Sequence, residues 1–238
     1  MQCYTELIPP TTITHAVTLP FLSANEENLV VAKTSLLQVF RLRTNATDND
    51  TTDEEGDETI ERKLSLVGEY KLSGTITSLQ RVKILYGKSG GDALLVSSKD
   101  AKLSLVDWDP ENHRINTISI HYYEGENIPV QPFGPALRDT ESILTVDPSS
   151  RCAALKFGQR HLAILPFRQQ GDDLADLEAE ADNEDKRQPQ QNSVSGEAAQ
   201  TPYKASFVST LTQVSPNLTH PQDLAFLYEY REPTLGIL

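Results

Sequence analysis

Apolar and polar residues alternate in short blocks along most of this chain, and one block pattern returns four times. An apolar run, a short polar turn and a second apolar run together predict a β-hairpin. Four similar hairpins in one chain are typical of a repeat protein built from one supersecondary unit. The pattern covers Leu29–Phe40, Leu94–Val106, Ala153–Leu165 and Ala225–Leu238.

The spacing of these hairpins indicates the architecture. They begin 65, 59 and 72 residues apart, and each interval contains one polar segment that is unsuited to a core. Without Thr44–Glu61, Tyr123–Glu141 and Gly171–Gln200, the intervals shorten to 47, 40 and 42 residues. A four-stranded propeller blade takes about 40–45 residues. The sequence therefore predicts an all-β chain that forms an incomplete β-propeller of about four to five four-stranded antiparallel blades.

Further strands are predicted over Ile115–Tyr122, Ile143–Val146 and Phe207–Val214, where apolar and β-branched residues are again bounded by polar turns. Propeller sheets pack face to face, so their central strands have neighbours on both faces. We therefore expect nine apolar residues to be mostly buried: Val30, Leu95, Val96, Leu103, Leu105, Ala154, Leu155, Leu162 and Ile164.

Charge is distributed very unevenly along the 238 residues, whose formal net charge is −13. Thr44–Glu61 holds eight acids and no base, and Gly171–Gln200 holds nine acids and two bases, so the rest of the chain is nearly neutral. Neither segment can bury enough apolar surface to offset its ordering entropy. We expect two disordered inserts, 44–61 and 171–200, within one propeller domain spanning 1–238. Thr52, which precedes three acids, is a candidate site for an acidophilic kinase.

The cysteines and the two ends of the chain are informative about the cellular compartment and about whether the chain is a fragment. Cys3 and Cys152 predict no disulfide framework, and the first residues lack the basic and apolar regions of a signal peptide. No apolar run approaches the length of a membrane-spanning helix. We expect a reducing compartment and no membrane partner. The chain stops inside the apolar run Thr234–Leu238, which predicts a fragment forming an open arc whose last strand lacks a partner.

Three groups of residues invite a chemical interpretation, and each has a simpler structural one. Tyr86–Ser89 is similar to the end of a phosphate-binding loop, but Val82 stands where that motif needs glycine. Asp107 and Asp109 could form a carboxylate pair, yet they adjoin a proline turn in which aspartate caps backbone amides. The segment His121–Tyr123 could stack on a base, but packing on its own sheet is the favoured interpretation.

Metal and nucleophile chemistry have still less support. Zinc needs clustered Cys and His ligands, and the histidines are scattered. The sequence has no nucleophile elbow. We therefore predict no catalytic, cofactor-binding or metal-binding residues, no small-molecule substrate and no enzymatic activity. The five histidines are His15, His113, His121, His161 and His220.

Four segments together resemble the largest subunit of the cleavage and polyadenylation specificity factor. Val146–Cys152 and Pro233–Leu238 are also similar to segments of two relatives of that subunit, the large subunit of the damaged-DNA-binding complex and the third subunit of splicing factor 3b. The four segments read NLVVAKTSLLQVFRL, DALLVSSKDAKLSLVDWDP, TVDPSSRCAALKFGQRHLAILPFR and DLAFLYEYREPTLGIL.

The resemblance implies a nuclear scaffold of three β-propellers that acts in pre-mRNA 3′-end processing, with this chain forming most of the first propeller. It implies partners, namely a WD-repeat subunit and a zinc-finger subunit, and pre-mRNA in the assembled complex. It supplies no catalytic residues. Two alternatives stay open. One is a propeller adaptor of the damaged-DNA-binding and ubiquitin-ligase type, and the other is a direct RNA-binding module, which would show a basic stripe on one rim.

Overall fold

The computed structural model is almost entirely β within the residues that it describes. These residues form fourteen strands and one helical turn, arranged as three four-stranded sheets and one two-stranded sheet, all antiparallel. The described residues are 11–45, 61–99, 101–123, 142–158, 160–172, 201–216, 218 and 221–238.

The strands of each sheet follow one another in chain order, so each sheet is a meander. Sheet 1 contains β1 (His15–Ser23), β2 (Glu26–Lys33), β3 (Leu36–Asn45) and β4 (Glu61–Lys71). Sheet 2 contains β5 (Ile76–Val82), β6 (Ala93–Ser98), β7 (Lys102–Asp109) and β8 (Arg114–Tyr122).

Sheets 3 and 4 complete the described fold. Sheet 3 contains β9 (Ile143–Val146), β10 (Cys152–Phe157), β11 (His161–Pro166) and β12 (Phe207–Thr210). The single-turn helix α1 (Leu211–Val214) follows directly. Sheet 4 contains only β13 (Leu224–Phe226) and β14 (Leu235–Ile237).

The first strands of the four sheets form the inner part of a radial array. Strand β1 contacts β5, β5 contacts β9, and β9 contacts β13. This succession places the sheets face to face in chain order, as the blades of a propeller are placed. The described sheets do not close into a ring, so the propeller is incomplete, as predicted.

Three apolar layers fill the spaces between neighbouring sheets. These layers form because successive side chains of a central strand point to opposite faces of its sheet, and so towards different neighbouring sheets. On β6, Leu94 and Val96 pack towards sheet 1 while Leu95 packs towards sheet 3. On β10, Leu155 packs towards sheet 2 and Ala154 towards sheet 4. A central strand that lies between two neighbouring sheets therefore buries side chains on both of its faces.

The predicted core is confirmed, with one partial exception. Eight of the nine expected residues are buried and Ile164 is half-buried. The first three predicted hairpins are the second and third strands of sheets 1, 2 and 3. Their turns share a residue with left-handed backbone, at Thr34, Ala101 and Gly158. The fourth predicted hairpin has a different position in its sheet from the other three, since β13 and β14 are the first two strands of sheet 4.

Three further predictions need correction. Phe207–Val214 is a strand only as far as Thr210, after which the backbone turns into α1. The first insert is shorter than the predicted 44–61. Thr44 and Asn45 end β3 and Glu61 begins β4, so these residues belong to the paired strands of the β3–β4 hairpin.

The last predicted strand, Thr234–Leu238, does have a partner. Strand β14 pairs with β13, and among the described residues only its other edge is unpaired. The segments 46–60, 124–141 and 173–200 lie outside the described residues, and so does Thr52.

The connections between strands divide between two rims. The first rim carries the turns that follow the first and third strands of each sheet, and the second rim carries the other connections, as the meander topology requires. Segments 46–60 and 173–200 join strands at the first rim, whereas 124–141 joins β8 to β9 at the second rim. The topology thus brings the attachment points of both acidic inserts to one side of the molecule.

Candidate interaction surface

The residues similar to a phosphate-binding loop are engaged with the two aspartates. The Lys88 backbone amide donates to Asp107 Oδ2 over 3.1 Å, and Lys88 Nζ lies 3.5 Å from Asp109 Oδ2. Asp107 also accepts from Asn116 Nδ2 over 2.8 Å. The two groups singled out in the sequence therefore tie the β5–β6 loop to the end of β7 on the first rim.

Asp109 caps the turn between β7 and β8, as its proline context predicted. Its Oδ1 accepts from the Glu111 and Asn112 amides at 3.1 Å, and its Oδ2 accepts from Asn112 Nδ2 at 2.9 Å. The Asn112 hydrogen bonds, with help from Lys88, lower the pKa of Asp109 to about 2. A carboxylate held ionised by turn donors is a structural cap and is poorly suited to act as a general acid or base.

The segment His121–Tyr123 divides its side chains between the core and the surface. The His121 and Tyr123 rings stack with centroids 6.3 Å apart, and Tyr123 stacks on Phe157 at 5.9 Å. Burial lowers the pKa of His121. Tyr122 instead remains 67% exposed at the end of β8. Packing on the sheet is confirmed for two of the three rings, and only Tyr122 is available to a partner.

A tight turn after β9 joins three sheets at the first rim. Asp147 is buried, and its carboxylate accepts from Arg151 Nε at 2.7 Å and from Arg151 Nη2 at 2.8 Å. These Arg151 hydrogen bonds lower the pKa of Asp147. Arg151 Nη1 also donates to the Arg231 carbonyl at 2.6 Å, and Ser150 Oγ accepts from the Lys83 amide at 3.0 Å. We call this arrangement the Asp147–Arg151 node.

The node gives a physical role to Val146–Cys152, one of the segments on which the resemblance depends. Lys83 follows β5 of sheet 2, and Arg231 lies in the turn of sheet 4. The sequence predicted the Pro148 turn but not these contacts, because the groups that meet are 67 and 80 residues apart. No local pattern signals such a pairing.

Cys152 and His161 are placed by packing. Cys152 is buried and its pKa is raised to about 11, chiefly by burial. The His161 ring stacks on Phe157 at a centroid distance of 5.4 Å. In the part of the chain that the structure describes, His, Cys, Asp and Glu form no group of three that could hold a metal ion. Within the same residues, no helix is long and apolar enough to cross a membrane.

Large apolar side chains are exposed along the outermost strand of each four-stranded sheet. Such strands have one unpaired edge in the described residues, and exposed apolar groups beside a free edge are suited to contact another chain. The sequence did not predict this surface, because burial of an outer strand depends on neighbours that a local pattern does not identify. We call these residues the outer-strand surface: Leu64, Leu66 and Val67 on β4, Ile120 and Tyr122 on β8, and Phe207 and Val208 on β12.

The fold and the exposed surfaces define the class of protein to which this chain belongs. Radially packed four-stranded meanders with structured turns at both rims and exposed outer strands make this chain an incomplete β-propeller suited to binding other macromolecules. The family model described as "RSE1/DDB1/CPSF1 first beta-propeller" matches residues 12–232. The chain belongs to this family.

Curated relatives agree with that assignment. The chain is 56% identical to "Protein CFT1" of Coccidioides immitis and 52% identical to "Protein cft1" of Aspergillus fumigatus, in each case over 100% of the chain and 18% of the relative. It is 32% identical to "Cleavage and polyadenylation specificity factor subunit 1" of Drosophila melanogaster, over 96% of the chain and 15% of that protein. The chain thus spans less than a fifth of the length of these relatives, and their names state no enzymatic activity.

Proposed function

We propose that this chain is the first propeller of a scaffold subunit in pre-mRNA 3′-end cleavage and polyadenylation. In this role it holds other subunits of a nuclear polyadenylation factor and contributes to contact with RNA in the assembled complex. It has no catalytic step of its own. A WD-repeat subunit and a zinc-finger subunit are the partners that we propose.

One observation carries the proposal. The polar residues that could have supplied chemistry are engaged in the fold, at Asp107, Asp109 and the Asp147–Arg151 node. The outer-strand surface, in contrast, presents large apolar side chains to solvent. A body whose polar groups are used internally while its apolar groups face outwards is suited to assembly. The name of the Drosophila relative indicates the process in which the assembly acts, which is cleavage and polyadenylation.

The test is co-purification with the full-length subunit after changes to the outer-strand surface. Leu64→Glu with Leu66→Glu places two charges on the exposed part of β4, where both side chains are about half exposed. We expect loss of polyadenylation subunits from the purified complex and reduced cleavage of a pre-mRNA substrate. Ile13→Glu is the matched control, since Ile13 is equally exposed but precedes β1.

Two results would contradict the proposal. If the wild-type subunit recovered a cullin and no polyadenylation subunit, the ubiquitin-ligase adaptor alternative would replace it. If the isolated subunit bound the AAUAAA hexamer tightly and without partners, the direct RNA-reader alternative would take its place. Correct folding of each variant is checked by its thermal unfolding midpoint.

A further inference from the structure

The hairpin of β3 and β4 extends beyond the other strands of sheet 1. The ladder between β2 and β3 ends at the pair Asn28–Arg41, whereas the ladder between β3 and β4 continues for four more pairs, between Leu42–Asn45 and Glu61–Leu64. We call these four pairs the hairpin tip. In the part of the chain that the structure describes, the tip strands pair only with each other. Two-stranded hairpins are marginally stable in water, so we expect the tip to open more often than the body of sheet 1.

Ser65 follows the hairpin tip directly and is preceded by two bases. Arg62 and Lys63 stand three and two residues before it, and Leu66 comes next in the chain. All four residues lie on β4, the outermost strand, where the two bases and the leucine are exposed and the serine is partly exposed. Protein kinases bind their substrates as extended segments, and basophilic kinases read such a pair of bases with acidic side chains beside the active site. Opening of the tip therefore presents an extended segment with the charge pattern that these kinases select.

The bases around Ser65 divide between the two faces of the hairpin. Ser65 and Arg41 are direct partners in the ladder, so their side chains share one face. Arg43 and Lys63 form the next pair on that same face. Arg62 and the two leucines that flank the serine lie on the opposite face. A phosphate on the serine would thus stand among three bases and away from the exposed leucines.

Arg41 already has one acidic partner in the unmodified protein. Its Nε lies 2.6 Å from Glu26 Oε1, in an ion pair that joins β3 to β2. A phosphate has three acceptor oxygens and about −1.5 to −2 charge at pH 7, so it can accept hydrogen bonds from the Nη atoms of the same guanidinium. Segment 46–60 adds seven acids close by in sequence. A phosphate on Ser65 differs from all of them in being covalently fixed on the strand opposite this arginine.

We propose that Ser65 is a phosphorylation site for a basophilic serine/threonine kinase. Arg41, Arg43 and Lys63 hold the phosphate. In the transfer, Ser65 Oγ attacks the γ-phosphorus of ATP, the bond from that phosphorus to the β–γ bridging oxygen breaks, ADP leaves, and the hydroxyl proton passes to a base of the kinase. The phosphate then ties β4 to β3 at the point where the support of β2 ends. It slows opening of the hairpin tip and steadies the leucines that β4 contributes to the outer-strand surface.

The first experiment treats the full-length subunit with ATP and the catalytic subunit of cAMP-dependent protein kinase. Mass spectrometry follows phosphate on the peptide that contains Ser65, and Ser65→Ala should remove this signal. Arg62→Gln should lower the initial rate by at least about tenfold, because one hydrogen-bonded charge pair with the kinase is lost. Arg43→Gln is the matched control and should keep the wild-type rate, since it removes the same charge from the same hairpin but lies outside the segment that the kinase reads.

Hydrogen exchange then measures whether the three bases hold the phosphate. Phosphorylation should slow exchange of the hairpin-tip amides by at least about threefold in the wild type, as several partly exposed charge pairs would. Arg43→Gln should accept phosphate equally fast but gain less protection. The second pKa of a phosphoserine is about 6, so the protection gained, corrected for intrinsic exchange, should be smaller at about pH 5.5 than at about pH 7.5.

Several results would overturn the proposal. One is an absence of phosphate on Ser65 in the folded subunit when a free peptide of residues 60–68 is phosphorylated, because β4 would then be closed to the kinase. Equal rates for Arg62→Gln and the wild type, or unchanged exchange after phosphorylation, would overturn it as well. In the subunit purified from its own cells with phosphatase inhibitors, we expect the same phosphopeptide, and the proposal fails without it. Thermal midpoints check that each variant is folded.

Discussion

Sheets 1 and 2 have the same four-stranded topology but very different burial. Every residue of β6 is buried, whereas β2, at the same position in sheet 1, has four buried residues and four that are more exposed. Sheet 2 lies between two neighbours, while sheet 1 has one neighbour among the described residues. Burial on both faces is therefore a property of the array and not of the strand. Substitutions should lower the free energy of unfolding most in a sheet that has neighbouring sheets on both faces. Four predictions test this.

The largest effect is expected in β7, at the centre of sheet 2. Leu105 is fully buried in the layer between sheets 2 and 3. Leu105→Ala should destabilise the propeller by about 2–5 kcal/mol, because it leaves a cavity that rigid neighbours cannot fill. Leu64→Ala on the exposed part of β4 is the control and should cost less than about 1 kcal/mol. Native-state hydrogen exchange of the β6 and β7 amides in the full-length subunit measures both, and equal costs would contradict the two-neighbour explanation.

The next effect concerns the Asp147–Arg151 node, through which sheet 3 holds both of its neighbours at the first rim. Asp147→Ala should cost about 3 kcal/mol, since it removes the partner of a guanidinium and two backbone amides within a buried turn. Hydrogen exchange should rise most in residues 227–234, which Arg151 fixes. Glu232→Ala, a neighbouring exposed acid, should change little. Unchanged exchange in 227–234 would show that the node does not hold sheet 4.

Sequence reasoning identified the hairpins but not how the sheets meet. Apolar runs around short polar turns were enough to find β2–β3, β6–β7 and β10–β11, because the pattern is local and the turn chemistry is strong. The fourth predicted hairpin is also present, as β13–β14, but its sequence did not show that it forms the first two strands of its sheet, because any two adjacent buried strands give the same pattern.

The boundary between sheets 1 and 2 depends on one close backbone approach. A Cβ at Gly91 would lie 2.1 Å from the Pro20 carbonyl oxygen, so no larger residue fits without movement of the backbone. Gly91→Ala should therefore cost about 1–3 kcal/mol through overpacking. Gly87→Ala in the same loop is the control, because its nearest neighbour would be at an ordinary 3.5 Å. If the two variants melted at the same temperature, the β5–β6 loop would have to be free to move away from sheet 1.

The smallest effect concerns pH at the boundary between sheets 2 and 3. His121 packs edge-on against Tyr203 at a centroid distance of 4.9 Å, and burial lowers its pKa below the usual 6.5. A lowered pKa means that the folded protein resists protonation of this ring, so the unfolded chain binds the proton more readily. His121 should thus leave stability unaffected above about pH 6.5 and reduce it as the pH falls towards the lower folded pKa.

His121→Phe keeps an aromatic ring at this position and removes the titration. The thermal midpoint of the variant should therefore fall less than that of the wild type between about pH 7.5 and pH 5.5. The variant also loses the 3.0 Å contact between Ser119 Oγ and His121 Nε2, which lowers its midpoint by a similar amount at every pH in this range and so leaves the comparison of slopes intact. Equal slopes for the two proteins would mean that the His121 ring is hydrated in the folded state, and that this boundary is more open than the one around Leu105.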